Sequence, residues 1–181
     1  TTGGAVTHAD THPFRRELFG REFCFAHNGT VPGYGSLPLG RFQPVGSTDS
    51  ERVFCHLLDQ MAQRDERLQD EPSCRWLNAT LRRINQHGTL NTMLSDGERL
   101  YGYRDIHGWK GLALRKVRFH ENATRMFEDD TMEVAMSGAA DNHGCVIATF
   151  PLSKTGWHEF VPGSLVVLEG GTIRFSGQAG D

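Results

Sequence analysis

The chain has 181 residues, 38% hydrophobic and 23% charged, with a formal net charge of -3. That length suits one domain over residues 1–181 with a real core, and the charge balance leaves no surplus of basic side chains to hold phosphate backbones. No apolar run reaches the roughly 18–20 residues that span a bilayer and no basic-then-apolar leader opens the chain, so the sequence reads as soluble and cytoplasmic, without nucleic-acid or membrane partners.

Residues 21–27 are rich in aromatic and apolar positions and stop at Asn28-Gly29, which predicts a strand meeting a tight turn. Between Thr30 and Ser47, three prolines (Pro32, Pro38, Pro44) and four glycines predict a loop. Thr48-Asp49-Ser50-Glu51 has capping-box spacing: Thr48 caps backbone N–H groups and Glu51 reaches back to the cap. A helix follows, with Val53, Phe54, Leu57, Leu58 and Met61 on its apolar face. Glu71-Pro72-Ser73 opens a second helix carrying Trp76, Leu77, Leu81 and Ile84, which stops at His87-Gly88.

The remainder reads as sheet. Residues 90–94 and 99–103 flank Ser95-Asp96-Gly97-Glu98, a hairpin in which Asp-Gly supplies the left-handed turn. Further strands are expected over 111–119, 132–136, 145–150, 164–168 and 172–175, the last two joined at Gly170-Gly171. Two helices followed by many hairpin-linked strands predict an α+β protein with antiparallel sheets covered by helices. No GxGxxG or GxxxxGK[ST] loop occurs, and no cofactor is expected.

The chemistry starts at Phe25-Ala26-His27-Asn28-Gly29. An Asn amide beside an exposed Gly N–H gives two preorganised donors for a carbonyl oxygen that turns negative under nucleophilic attack. Glycine also lets a substrate approach the backbone closely. Asn-Gly is equally the commonest hairpin signal. Asp49 sits at the first helical position after its cap, where backbone N–H groups and the helix dipole favour the carboxylate. There it either grips a ligand ammonium or merely decorates a helix terminus.

Taken in order, His12-Pro13-Phe14, FAHNG, Gly46-Ser47-Thr48-Asp49-Ser50-Glu51 and NTMLSDGERLYGYR (91–104), with the late ATFPLS and WHEFVPGS segments, form a series. The series resembles the class II glutamine amidotransferases, in their stand-alone YafJ-like branch, over residues 1 to about 175. The resemblance implies a four-layer αββα sandwich of the N-terminal-nucleophile hydrolase type, two antiparallel sheets between helices. It also implies a glutaminase-type reaction. A cysteine at the mature N-terminus, with its own α-amino group as base, attacks the side-chain amide of glutamine or of a γ-glutamyl compound. Ammonia leaves, and a thioester is hydrolysed.

By position, Asn28 and the Gly29 N–H match the family's oxyanion hole, and Asp49 matches the carboxylate that binds the α-ammonium. Thr2 and Gly4 match the end of the Arg-x-x-Thr-x-Gly loop that closes on substrate. The nucleophile and that arginine match no residue between 1 and 181, and Thr1 aligns inside the substrate loop rather than with the family's first residue. The resemblance leaves open an ammonia-accepting partner protein and a homo-oligomer. The alternative reading is a non-catalytic glutamine or γ-glutamyl binding protein of the same fold.

The other chemically suggestive residues carry blander expectations. Cys24, Cys55, Cys74 and Cys145 show no paired spacing and read as buried free thiols. Cys24 shares a strand with His27, but alternate positions face opposite ways. His8 and His12 could share a helical face, yet Pro13 follows at once and no third metal ligand is evident. Glu128, Asp129 and Asp130 read as a solvated loop, and Trp76, Trp109 and Trp157 as core or interface anchors. The Asn-x-Thr sequons at Asn28, Asn78 and Asn122 would matter only in a secreted chain.

Overall fold

In the computed structural model, which describes residues 7–128 and 133–177, the framework is a six-stranded antiparallel sheet. Its order is β1 (Phe14–Leu18), β2 (Arg21–Thr30), β3 (Thr89–Ser95), β4 (Arg99–Tyr103), β10 (Leu165–Glu169) and β11 (Thr172–Gly177). The period-2 alternation of β2 sends Phe23, Phe25 and His27 to one face. Across the strands Leu94, Tyr101 and Val167 continue that face. It is covered by α1 (Asp49–Arg64) and α2 (Glu71–Asn85) through Val53, Phe54, Leu57, Leu58, Leu77 and Leu81. Phe25 stacks on Phe54 with ring centroids 5.2 Å apart and planes 4° from parallel, so β2 is seated on α1 just before Asn28 and just after Asp49.

The opposite face of β4 and β10 presents Leu100, Val166 and Leu168 to a second antiparallel sheet, with order β8 (His143–Ala148), β5 (Ala113–Arg118), β9 (His158–Glu159), through Leu112, Leu114 and Phe160. The hairpin β6 (Ala123–Glu128) and β7 (Glu133–Gly138) joins a third cluster around Val117, Phe119 and Phe127. The expected α+β sandwich of antiparallel sheets is therefore present, with helix, sheet and sheet as its layers among the described residues.

Asp105, fully buried after β4, fastens the start of β3. Its carboxylate accepts from the backbone N–H groups of Leu90, His107 and Trp109 and from the Asn85 side chain at 2.7–3.2 Å. Burial opposes its charge, but these donors outweigh that and hold its carboxyl below the usual carboxylate range. The helix and hairpin expectations agree with the structure to within a few residues. β1, β6 and β9 were not among the predicted strands. The predicted strand over 132–136 is found as β7, with residue 132 outside the described set.

Three local expectations change. Asn28-Gly29 is not a turn: β2 runs on to Thr30, and Asn28, Gly29 and Thr30 pair with Asn91, Leu90 and Thr89. Glu51 does not close the capping box on Thr48, although Thr48 does accept from the Glu51 N–H at 3.2 Å. The Glu51 carboxylate instead takes the Val45 and Gly46 N–H groups at 3.0 and 2.7 Å and pairs with Arg16. Cys24 and Cys145 are half-buried rather than fully buried, unlike Cys55 and Cys74.

Candidate functional site

The end of β2 and the first turn of α1 together line a cavity of about 450 Å³, within the range of small-ligand sites. Asn28, Gly29 and Asp49 all line it, together with Asp10, His12 and Tyr34. Thr2 and Gly4 lie outside the described residues.

Gly29 is where it is because β3 comes so close. A Cβ at this position would stand 2.2 Å from the Thr89 carbonyl oxygen and 2.6 Å from His27 Nε2. Thr30 N–H donates to Thr89 Oγ1 at 2.9 Å on the β3 side. Strand alternation therefore turns the Gly29 N–H to the other edge, where β1 has already ended opposite Phe25. Asn28 is half-buried, and among the described residues no hydrogen bond engages its side-chain amide, which leaves two N–H donors for a ligand.

Asp49 is held from both sides. Oδ2 accepts the Val31 N–H at 2.7 Å, and Oδ1 accepts the Ser50 N–H at 2.8 Å. A carboxylate offers about four acceptor sites, so capacity remains for a cation in the cavity, and the helix N-terminus favours the charge.

The irregular segment leading to Asp49 is fixed by carboxylates that claim its backbone amides. Asp59 takes Gly40 and Phe42 at 2.6 and 3.1 Å, Glu51 takes Val45 and Gly46, and Asp10 takes Ser47 at 2.7 Å. Arg52 binds the Gly35 and Leu37 carbonyls, and His56 the Pro38 carbonyl. Positions 49, 52, 56 and 59 follow helical spacing, so one stripe of α1 holds the loop from Val31 to Phe42, while Glu51 and Asp10 hold Val45 to Ser47.

Asp10 is buried, and the Ser47 N–H followed by the Thr7 hydroxyl hold its carboxyl below the usual range. A Cβ on Gly46 would stand 2.4 Å from Asp10 Oδ1, so this approach also requires glycine. Sequence reasoning did not single out Asp10; the available signal was Thr7-His8-Ala9-Asp10, whose threonine caps the short 3-10 helix His8–Asp10. That helix ends before His12, so the two histidines share no helical face.

His27 also went unassigned. It is 8% exposed and bridges Ser50 Oγ at 2.9 Å and the Thr89 carbonyl at 3.0 Å. Burial pushes its imidazole below the ordinary histidine value against the pull of the Thr89 carbonyl and Asp49. His12 is pushed the same way, first by burial and then by His27. None of the four cysteines lines the cavity, and burial pushes the Cys55 and Cys74 thiols up to about 11. The N–H donors of Asn28 and Gly29 and the carboxylate of Asp49, lining one cavity, can orient a small molecule that carries both a carbonyl and an ammonium.

The family model described as "Glutamine amidotransferases class-II" matches residues 1–180. An uncharacterised protein of Methanocaldococcus jannaschii is 36% identical over 176 residues, covering 97% of this chain and 49% of the relative. The Escherichia coli protein named "Putative glutamine amidotransferase YafJ" is 36% identical over 165 residues, covering 88% of this chain and 63% of the relative. A Pseudomonas aeruginosa crystal structure, described as a predicted glutamine amidotransferase, superimposes with a TM-score of 0.82 at 30% identity, covering 93% of this chain and 66% of that one. The chain thus spans about half to two thirds of the length of the curated relatives it matches.

Proposed function

Because the chain belongs to the class II glutamine amidotransferase family, we propose that residues 1–181 form one amidotransferase domain whose cavity binds glutamine, or a related γ-glutamyl amide, for release of ammonia. The observation that carries this reading is the convergence of Asn28, Gly29 and Asp49 on one cavity. In it, the Asp49 carboxylate receives the substrate's α-ammonium, and the side-chain amide lies along the cavity toward β2. Thr2 and Gly4 are assigned to substrate binding by their match to the family's loop alone.

A cysteine thiolate outside residues 1–181 attacks the amide carbon. The carbonyl π electrons move to oxygen, and the Asn28 amide and Gly29 N–H stabilise that oxyanion. The α-amine of the cysteine takes the thiol proton and passes it to the leaving nitrogen. The C–N bond breaks to give ammonia and a γ-glutamyl thioester, and water then cleaves the thioester to glutamate and regenerates the thiol. The ammonia passes to water or to a partner protein.

Glutaminase assay of the intact protein tests the reading: ammonia release is expected, and Asn28→Ala is expected to lower turnover by about 100–1,000-fold, as for loss of an oxyanion donor elsewhere. An unchanged rate would remove the role of Asn28. A non-catalytic binding protein would bind the amide and release no ammonia.

A further inference from the structure

We propose that His27 and Ser50 are positioning residues for the ligand's α-ammonium, and that the direction of the hydrogen bond between them sets how much of Asp49 is available to that ammonium. The proposal rests on the glutamine-binding reading above and goes beyond it to two residues that need not touch the substrate.

His27 Nε2 lies 3.0 Å from the Thr89 carbonyl oxygen, which can only accept, so Nε2 carries a hydrogen whatever the charge of the ring. His27 Nδ1 lies 2.9 Å from Ser50 Oγ. In the neutral ring Nδ1 offers a lone pair, and the Ser50 hydroxyl donates to it. Protonation turns Nδ1 into a donor. Ser50 Oγ must then accept from the ring and send its own hydrogen elsewhere, and Asp49 Oδ1 stands 3.3 Å away to receive it.

One protonation thus has two effects at one carboxylate. It occupies an acceptor site on Asp49 that the ligand ammonium would use, and it places a positive charge behind that site. Both weaken ammonium binding and neither touches the Asn28–Gly29 wall. The charged and titratable groups around the ring are Asp49 from α1, which favours its protonation, and His12 from the segment before β1, which repels it; β3 contributes the uncharged Thr89 carbonyl. Burial favours the neutral ring over these, which keeps the Ser50 hydrogen off Asp49 at neutral pH.

The test compares L-glutamate, the product of the proposed reaction, with glutarate, which lacks the α-ammonium. Binding of each to the intact protein is measured by calorimetry from pH 8 to pH 5, with the His27 ring nitrogens followed by NMR in parallel. The affinity advantage of L-glutamate is expected to be constant while the ring is neutral and to fall by up to tenfold per pH unit as it protonates, the limit for binding linked to one proton. Ser50→Ala should lessen that fall, because only the charge of the ring then acts on Asp49. An advantage that stays constant through the ring's titration, or a Ser50→Ala profile identical to wild type, overturns the proposal and leaves the glutamine reading standing. No advantage of L-glutamate at any pH, or an advantage that survives Asp49→Asn, overturns the glutamine reading and the proposal with it.

Discussion

Replacing Gly29 by alanine puts the packing between β2 and β3 to a direct test. The new methyl would sit 2.2 Å from the Thr89 carbonyl oxygen, 2.7 Å from its carbon and 2.6 Å from His27 Nε2, where ordinary contact begins at 3.4 Å. Two of these three atoms are backbone, so a side-chain rotation cannot relieve the clash and the strands must part. Overpacking of this kind costs about 1–3 kcal/mol. Loss of the His27–Thr89 hydrogen bond adds about 0.5–1.5 kcal/mol, for a total of about 1.5–4.5 kcal/mol. At about 2–4 °C per kcal/mol for a chain of this length, the thermal midpoint should fall by roughly 3–18 °C. Gly97→Ala is the control: this turn glycine has φ +87 and nothing within 4 Å, so only backbone strain, about 1 kcal/mol, is at stake. Urea and thermal unfolding followed by circular dichroism would measure both. A Gly29→Ala cost no greater than that of Gly97→Ala would refute the close approach on which the Asn28–Gly29 wall depends.

Other perturbations separate chemistry from stability. Asn28→Ala should leave urea stability within about 0.5 kcal/mol of wild type, because no described residue hydrogen-bonds its amide, even as turnover collapses; a large stability loss would make Asn28 a structural residue. Asp49→Asn should raise the Michaelis constant far more than it lowers turnover, and steady-state kinetics showing the reverse split would contradict the ammonium contact. On acidification the protein should lose stability in two stages. His12 and His27 are held neutral below the ordinary histidine value. Their contribution is complete above about pH 6.5 and is lost as pH falls through their lowered values. The Asp10 and Asp105 carboxyls are held below their ordinary value, so their contribution is complete above about pH 4 and is lost as pH falls further. Thermal midpoints rising with acidity between pH 7 and pH 5 would contradict the neutral buried histidines.

What the sequence disclosed was set by local chemistry. Thr48 caps α1, Asp96-Gly97 turns β3 into β4 and Gly170-Gly171 turns β10 into β11, because each needs only neighbouring residues. Asn28-Gly29 carries an equally strong turn signal, yet β3 overrides it from about sixty residues away by pairing through Thr30. β1 was hidden because Arg15, Arg16 and Glu17 interrupt the two buried positions, Phe14 and Leu18, of an edge strand. β6 was hidden because Phe127 is its one fully buried residue. Asp10, Glu51 and Asp59 escaped notice as organisers of the loop because their partners are backbone amides, which leave no mark in a sequence. His27 was legible as part of a motif, but its grip on Ser50 and Thr89 depends on three elements meeting.

The most direct measurement is a crystal structure of the intact protein with bound L-glutamate. The account predicts the α-ammonium within hydrogen-bonding distance of the Asp49 carboxylate and a γ-carboxylate oxygen against the Asn28 amide and the Gly29 N–H. L-glutamate bound at another surface, or lying in this cavity with its ammonium turned toward β2, would contradict it.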